Sequence, residues 1–323
     1  MIRIQEWSEL SDRARDRVSL LDVSDGDPAS HSERQHGYRV DGGLYRGYHA
    51  LFAVRNGDVL SRAAGMDLTL TTRSRDEPLL GVADVVTRPD ALGRGLAPLL
   101  IEELHRRASA RGIRWAALWT HRTWTAHRRY ERLGYRDAYS PAFLLKRIPA
   151  VPPSEPPESY ALRPCRFRDA ALLDSLFERA SAQRVGFVHR PAAAFEARFR
   201  LGNRRPNTVH LLLHRGDPVG YAVLDADEHQ VVCYEAVAVR RADRAALVRL
   251  LEKQSAGRWL VFRRTTFVRD LGGRAAQRGY SALPLEHSTL MVKSLAPLAP
   301  ADRAALMRTF GDPRFSCHTG DMF

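Results

Sequence analysis

The strongest constraint on the fold is an internal repeat broken by a proline-rich joint. Residues 148–159 hold five of the 18 prolines in the chain. Proline fixes φ and bars its neighbours from helix and central strand, so this stretch reads as a stiff, extended linker. On either side the same order of patterns recurs. A short β-like run (2–4; 160–163) leads into an amphipathic helix pattern. A glycine-aspartate turn follows, at Gly57–Asp58 and Gly216–Asp217. An alternating strand then runs into a helix with a leucine pair, from 82–87 to Leu99–Leu100 and from 234–239 to Leu250–Leu251, at an offset of 151 residues. Each half later shows a helix ending in Gly-Tyr (Gly134–Tyr135; Gly279–Tyr280) and a closing apolar strand (142–145; 289–292). Strands first and strand–helix units later predict an α/β fold of α+β type, with a mixed sheet in each half. The expected division is residues 1–147, a linker at 148–159, and residues 160–323. A length of 323 residues suits two such domains.

Composition narrows the class. Hydrophobic residues make up 44% and charged residues 27%, the balance of a globular protein. No run approaches the roughly 18 to 20 apolar residues of a membrane span, and 1–7 lack the apolar stretch of a leader. Three scattered cysteines, Cys165, Cys233 and Cys317, fit neither a disulfide framework nor a four-thiolate zinc site. Cys317–His318 has no second ligand pair at zinc spacing, so no metal is expected. These features lead us to expect a reduced, cytoplasmic protein without a membrane partner. The net charge is +13, yet all but three of the 50 basic residues are arginine. The excess reads either as background arginine bias or as a surface for an anionic partner such as nucleic acid; the first reading is preferred.

The most informative stretch is 84–100. A strand ending near Thr87 meets a turn containing Gly93, Arg94 and Gly95, followed by a helix carrying Leu96, Leu99, Leu100 and Leu104 and running to about Ala110. Glycines before a helix let backbone N–H groups converge on an anion, and the helix dipole adds favourable potential. Pro98 falls in the first turn, where its missing N–H costs little. The geometry suits a pyrophosphate. Gly-Lys-Ser/Thr is absent, so this is not a P-loop, and the third glycine of the dinucleotide fingerprint is also absent.

Further on comes 119–135, with Thr123, Ala126, Tyr130, Gly134 and Tyr135. Together with Pro89, Gly95 and Ala97, this spacing resembles the GCN5-related N-acetyltransferase (GNAT) superfamily. Two positions depart from that family's pattern. Leu92 stands where an Arg or Gln opens the phosphate loop, and Thr123 stands where an Asn lies near the pantetheine arm. The resemblance implies acetyl-CoA as cosubstrate. Main-chain groups of Val85, Val86 and Thr87 would pair with the pantetheine amides, and the loop Leu92, Gly93, Arg94, Gly95, Leu96 and Ala97 would hold the pyrophosphate. A bulge in that strand would splay it from the next one and open the cleft. The tandem arrangement is similar to the enhanced intracellular survival acetyltransferases.

Direct transfer to an amine needs a group to protonate the leaving thiolate and a group to take the amine proton. By resemblance Tyr130 is the acid. Two carboxylates compete as base: Asp84, on the strand before Pro89, and the terminal carboxylate of Phe323, which in the survival enzymes enters the first domain's site. Aromatic residues in the tail (Phe310, Phe315, Phe323) argue that it docks. His121 and His127 read as structural.

At the offset of 151 the second half has Arg244 for Gly93 and Ala246 for Gly95, and Ala275 falls at the Tyr130 position. It is therefore expected to be a degenerate copy that walls the cleft. Glu235, matching Asp84, reads equally as a contact for a cationic substrate or as a solvated strand residue. The overall expectation is two tandem GNAT-like acyl-CoA N-acyltransferase domains. The first would move an acetyl group directly to a primary amine of a small molecule or peptide. A non-catalytic acyl-CoA sensor and a nucleic-acid-associated factor are the alternatives. Oligomeric state is left open.

Overall fold

The computed structural model describes residues 1–23, 47–140, 142–151, 155–190, 193–200, 205–263, 276–284, 287–297, 299–312 and 314–317. Strands β1 (Arg3–Glu6), β2 (Tyr48–Arg55), β3 (Asp58–Thr71), β4 (Asp76–Thr87), β5 (Trp115–His121) and β6 (Arg136–Tyr139) come from the first half. Among them lie helices α1 (Asp12–Val23), α2 (Leu96–Ala110) and α3 (Thr125–Arg132). Then follow β7 (Ala142–Arg147), β8 (Tyr160–Pro164), α4 (Ala170–Ser181), β9 (Val185–Gly186), α5 (Ala194–Arg200), β10 (Val209–His214), β11 (Asp217–Ala226) and β12 (Gln230–Ala238). The chain continues with α6 (Arg241–Gln254), β13 (Trp259–Arg263), β14 (Ser281–Pro284), β15 (Ser288–Ser294), α7 (Pro300–Gly311) and β16 (Phe315–Ser316). No described helix is long and apolar enough to cross a membrane.

The repeat is visible in the local structure. Hairpin β2–β3 turns on Asn56 (φ 52°) and Gly57 (φ 77°), and β10–β11 turns on Arg215 (φ 53°) and Gly216 (φ 90°). Two successive residues at positive φ make the type I′ turn, whose twist matches that of the flanking strands. Glycine supplies the second of these conformations at no steric cost in both turns. In each half one parallel strand pair is embedded in antiparallel neighbours: β4 with β5, and β12 with β13.

The sheets do not follow the two halves of the sequence. The first sheet runs β1-β2-β3-β4-β5-β15-β6, and the second runs β14-β7-β13-β12-β11-β10-β8. Strand β7, which precedes the proline-rich stretch, lies between β13 and β14 in the second sheet. Strand β15, from the end of the second half, lies between β5 and β6 in the first. The halves thus exchange their closing strands. Each crossing strand carries one lysine that joins a polar cluster of the host half. Lys146 of β7 and the Tyr280 hydroxyl both donate to Glu252 Oε1 of α6, at 2.9 and 2.8 Å. Lys293 of β15 donates to His105 Nδ1 of α2 at 3.3 Å, and His105 Nε2 lies 2.7 Å from the Tyr135 hydroxyl. Part of the proline-rich stretch is also docked rather than extended into solvent: the Ile148 N–H bonds to the Arg258 carbonyl and the Pro149 carbonyl accepts from Gly257.

Core packing separates the two faces of the first sheet. One face joins Leu51, Ala53, Leu60, Leu80 and Val82 to Leu96, Leu100, Ile101 and Leu104 of α2, with Val85 and Tyr130 packed at the margin. Leu99, expected in that stripe, is 41% exposed; Ile101 takes its place. The other face packs Ala50, Phe52, Val54, Val59 and Ala64 against Leu10, Ala14, Val18 and Leu21 of the α1 region, with Tyr48 and Val86 at its margin.

Candidate active site

The site begins with a break in β4. Its parallel pairing with β5 covers only Leu79–Trp115, Leu80–Ala116 and Gly81–Ala117. Beyond Gly81 the two strands part. On the other edge, the register of β4 against β3 shifts between Arg62–Val86 and Ala64–Ala83, a β-bulge. Asp84 sits in that bulge with φ 48°, a left-handed conformation that Asp tolerates better than most residues. Arg62 is fully buried beneath it, and its Nε donates to the Asp84 carbonyl at 3.3 Å. The expected bulge and splay are both present, and they come from one local device. A bulge bends its strand and increases the twist, so β4 turns away from β5.

The residues after the bulge keep one edge paired and turn the other toward the gap. Val86 and Thr87 pair with Arg62 and Ser61. The Ser61 hydroxyl donates to the Val86 carbonyl at 2.9 Å and lies 2.8 Å from the Thr87 hydroxyl. Val85 packs on the α2 face. The chain then makes a short 3-10 turn, Pro89–Ala91, and reaches Leu92, which is 54% exposed. Gly93 (φ 76°) and Gly95 (φ 73°) are both left-handed, and Gly95 caps α2 without any side-chain hydrogen bond. A Cβ at either glycine would meet nothing within 4 Å. These glycines are therefore required by backbone conformation rather than by crowding. The first-turn N–H groups, including those of Leu96 and Ala97, have no intrahelical partner and face an open loop, an arrangement that favours an anion. Arg94 folds back, donating to the Asp90 carbonyl at 2.8 Å, while Arg88 grips the Asp90 carboxylate at 2.9 and 2.6 Å. The loop thus has two cations and one internal carboxylate. These residues suit a pyrophosphate.

Acid and base candidates lie on opposite faces of the splayed sheet. Tyr130, in α3, packs against the α2 face, and burial pushes its hydroxyl up to about 12, slightly opposed by Arg129. It stays protonated at neutral pH and can serve there as a proton donor. Asp84 accepts a 2.7 Å hydrogen bond from the Tyr48 hydroxyl, and Tyr48 belongs to the α1 face. Thr123 is exposed and its hydroxyl lies 2.7 Å from His121 Nδ1. His121 stacks between Trp124 and His287. His127 is buried with Nε2 3.0 Å from Asp137, the structural role expected of it. Phe323 and Ala275 lie outside the described residues, as does His318. The tail up to Cys317 is placed: Phe315 and Ser316 pair with Val185 and Gly186 of β9, and Cys317 packs with Leu70, Leu79 and Trp115 of the first sheet. A cavity of about 400 Å³ lined by Thr72, Arg73, Arg308 and Asp312 lies at the β3–β4 turn, the end of β4 remote from Asp84.

The second half has filled both corresponding positions with its own side chains. The connection of eight residues between β4 and α2 shrinks to two, Val239 and Arg240, between β12 and α6. The constant offset of 151 therefore fails here. The helix start sets Arg240, in extended conformation at φ −99°, opposite Gly95. At that helix start Asp243, 1% exposed, accepts from the Arg240 N–H at 3.1 Å and from the Tyr160 hydroxyl at 3.0 Å. A carboxylate thus occupies the anion position. Glu235, at the bulge of β12, is neither solvated nor open to a substrate as the sequence suggested. Arg190 donates to both of its oxygens at 2.9 Å and lies over the Phe177 ring at 3.6 Å, and Tyr221 also donates to it. Sequence reading missed this pairing because Arg190 and Glu235 lie 45 residues apart.

Comparison with known proteins agrees with this geometry. Residues 26–138 match the family described as acetyltransferase (GNAT) domain. No curated protein matches the sequence. Among solved structures, a GCN5-related N-acetyltransferase from Anabaena variabilis superposes with a TM-score of 0.65 at 14% identity, covering 92% of this chain and 73% of that one. Eis1 from Mycobacterium abscessus gives 0.62 at 17% identity, with 91% and 74% covered. A tandem GNAT protein from the clavulanic acid biosynthesis pathway gives 0.54 at 12% identity, with 93% and 100% covered. At such identities the likeness is one of fold. The family match thus covers residues 26–138, and the chain as a whole shares the fold of these structures.

Proposed function

We propose that the chain transfers an acetyl group from acetyl-CoA directly to a primary amine of a small molecule or peptide, with one working site in the first half. The observation that carries this reading is the split at Asp84. A glycine loop and a protonated tyrosine lie on one face of the parted strands, and a carboxylate lies on the other. The cosubstrate would enter from the α2 face, its pyrophosphate on the N–H groups of 93–97 and its pantetheine arm along the edge of Val85, Val86 and Thr87. The amine would approach from the α1 face.

In the reaction the amine nitrogen bonds to the thioester carbonyl carbon as the carbon–sulfur bond breaks. The amine proton passes to the Asp84 carboxylate, oriented by Tyr48. The Tyr130 hydroxyl gives its proton to the departing sulfur, which leaves as the CoA thiol. The described thiols do not suggest an acyl-enzyme. All three cysteines are buried, and burial pushes Cys165 up to about 12 and Cys233 higher still. The second candidate base, the carboxylate of Phe323, has one observation in its favour: the tail up to Cys317 already packs on the first sheet.

The test is CoA release with acetyl-CoA and a panel of primary amines, comparing the wild type with Tyr130→Phe. Amine-dependent release that falls by about 10²-fold or more in the variant supports the reading, the size expected of a lost general acid. Binding of acetyl-CoA without turnover, or turnover unchanged in Tyr130→Phe, overturns it; the first outcome would indicate a sensor.

A further inference from the structure

The polar clusters on the two exchanged strands occupy corresponding places, but they differ in chemistry. In the second half, Lys146 and Tyr280 both donate to Glu252. Two donors converge on one acceptor, and the chain of hydrogen bonds stops there. In the first half, a histidine takes the carboxylate's place. A lysine ammonium can only donate, so His105 Nδ1 accepts from Lys293. His105 is 7% exposed, and burial, aided by the Lys293 charge, lowers it to about 3, so the ring is neutral. A neutral imidazole that accepts at Nδ1 carries its proton at Nε2, and Nε2 faces the Tyr135 oxygen at 2.7 Å. The Tyr135 hydroxyl proton is then left to point onward. Tyr135 meets Tyr130 edge-on, with ring centroids 6.0 Å apart, and its backbone N–H donates to the Tyr130 carbonyl at 3.0 Å.

We propose that Lys293, His105 and Tyr135 form a directional donor chain that supports Tyr130 as it gives up its proton, so that the second half contributes to catalysis through a strand lent to the first. The inference rests on the proposed role of Tyr130. When Tyr130 donates to the sulfur it becomes a tyrosinate in a buried setting, where unbalanced charge is costly. The groups around it are the Arg129 cation on its own helix, Tyr135, the neutral His105, the Lys293 cation, and Glu102 facing Lys293 from α2. A carboxylate at residue 105 would oppose the tyrosinate and reverse the donor direction, which is the pattern of the half that lacks the glycine loop. Lys293, His105 and Tyr135 act through Tyr130 and are positioning residues. Gly134 beside Lys293 is set by its backbone, left-handed at φ 90°, and not by crowding: a Cβ there would make ordinary contact with Lys293 Cε at 3.6 Å.

The test sets His105→Glu against His105→Gln and Lys293→Met against Lys146→Met. Glutamate would pair with Lys293 as Glu252 pairs with Lys146, so the fold is kept. A merely structural cluster would leave turnover intact. The expectation is a kcat lowered by about tenfold in His105→Glu and Lys293→Met, with the KM for acetyl-CoA unchanged. His105→Gln, which can still accept and donate, keeps most of the rate. Lys146→Met loses stability but not kcat. In a Tyr130→Phe background His105→Glu adds no further loss. Wild-type kcat in a folded His105→Glu, with Tyr130→Phe impaired, overturns this inference alone. An unimpaired Tyr130→Phe instead removes the catalytic assignment on which it rests.

Discussion

Replacing Arg190 by Met isolates the self-filled position of the second half. The pair it breaks is deeply buried, with side chains 5% and 3% exposed for Arg190 and Glu235. Both guanidinium bonds to the carboxylate measure 2.9 Å, and the cation also lies on the Phe177 ring. Removing one member leaves a buried carboxylate beside the Tyr221 hydroxyl without its guanidinium partner. Breaking a buried pair this way costs about 3–5 kcal/mol, whereas replacing the whole set by apolar groups of similar volume is close to neutral. At about 2–4 °C per kcal/mol for a domain of this size, Arg190→Met should lower the melting temperature by about 10 °C. The triple change Arg190→Met, Glu235→Leu, Tyr221→Phe should recover most of that loss. Melting followed by far-UV circular dichroism and by urea titration provides the measurement. A loss under about 1 kcal/mol would refute the reasoning that the pair is internally satisfied. So would a stable Arg190→Met protein with impaired turnover, because Glu235 would then be serving a substrate.

Other expectations follow from the same geometry. Gly95→Ala forces a Cβ into a left-handed position at a cost of about 1–2 kcal/mol; isothermal titration should show weaker acetyl-CoA binding, while kcat at saturation changes little. Asp84→Asn keeps a residue that tolerates the bulge but removes the charge, and should cut kcat by about 10²-fold; deleting Met322–Phe323 should leave kcat intact, and the reverse pair of results would assign the base to the tail. His105 is lowered in the folded protein from 6.5 to about 3 by burial and then by Lys293. Its contribution is therefore complete above pH 6.5 and is lost as pH falls toward the folded value, by up to about 1.4 kcal/mol per pH unit. Urea midpoints between pH 6.5 and 4.5 should fall more steeply for the wild type than for His105→Gln.

Much of the fold was readable because its signals are local. The two glycine turns, the proline-rich joint and the glycine pair before α2 each act within a few residues. The bulge was anticipated only through the resemblance to the acetyltransferase family, since nothing in the local pattern of 82–87 marks it. The strand exchange was not. Segments Ala142–Arg147 and Ser288–Ser294 are both short apolar strands with a lysine before the last residue, and either would fit either sheet. Long-range pairing decides between them, and spacing along the chain does not record it. His105 was passed over for a related reason. On a helix rich in arginine and glutamate it resembles one more polar residue, and only the entry of Lys293 from the other half turns it inward. Asp243 and Arg190 were invisible as fillers because their partners are set by the tertiary fold. The shortened connection at Val239 and Arg240 could have been found by comparing loop lengths rather than holding the offset fixed.

The account holds that one copy of the fold works and the other is closed by its own side chains. The direct measurement is the stoichiometry of acetyl-CoA binding to the full chain by isothermal titration, repeated with Gly93→Ala/Gly95→Ala and with Arg240→Ala/Arg244→Ala. The account predicts one equivalent per chain, weakened or lost in the glycine variant and unchanged in the arginine variant. Two equivalents, or a single one that survives the glycine changes and disappears with the arginines, would contradict it.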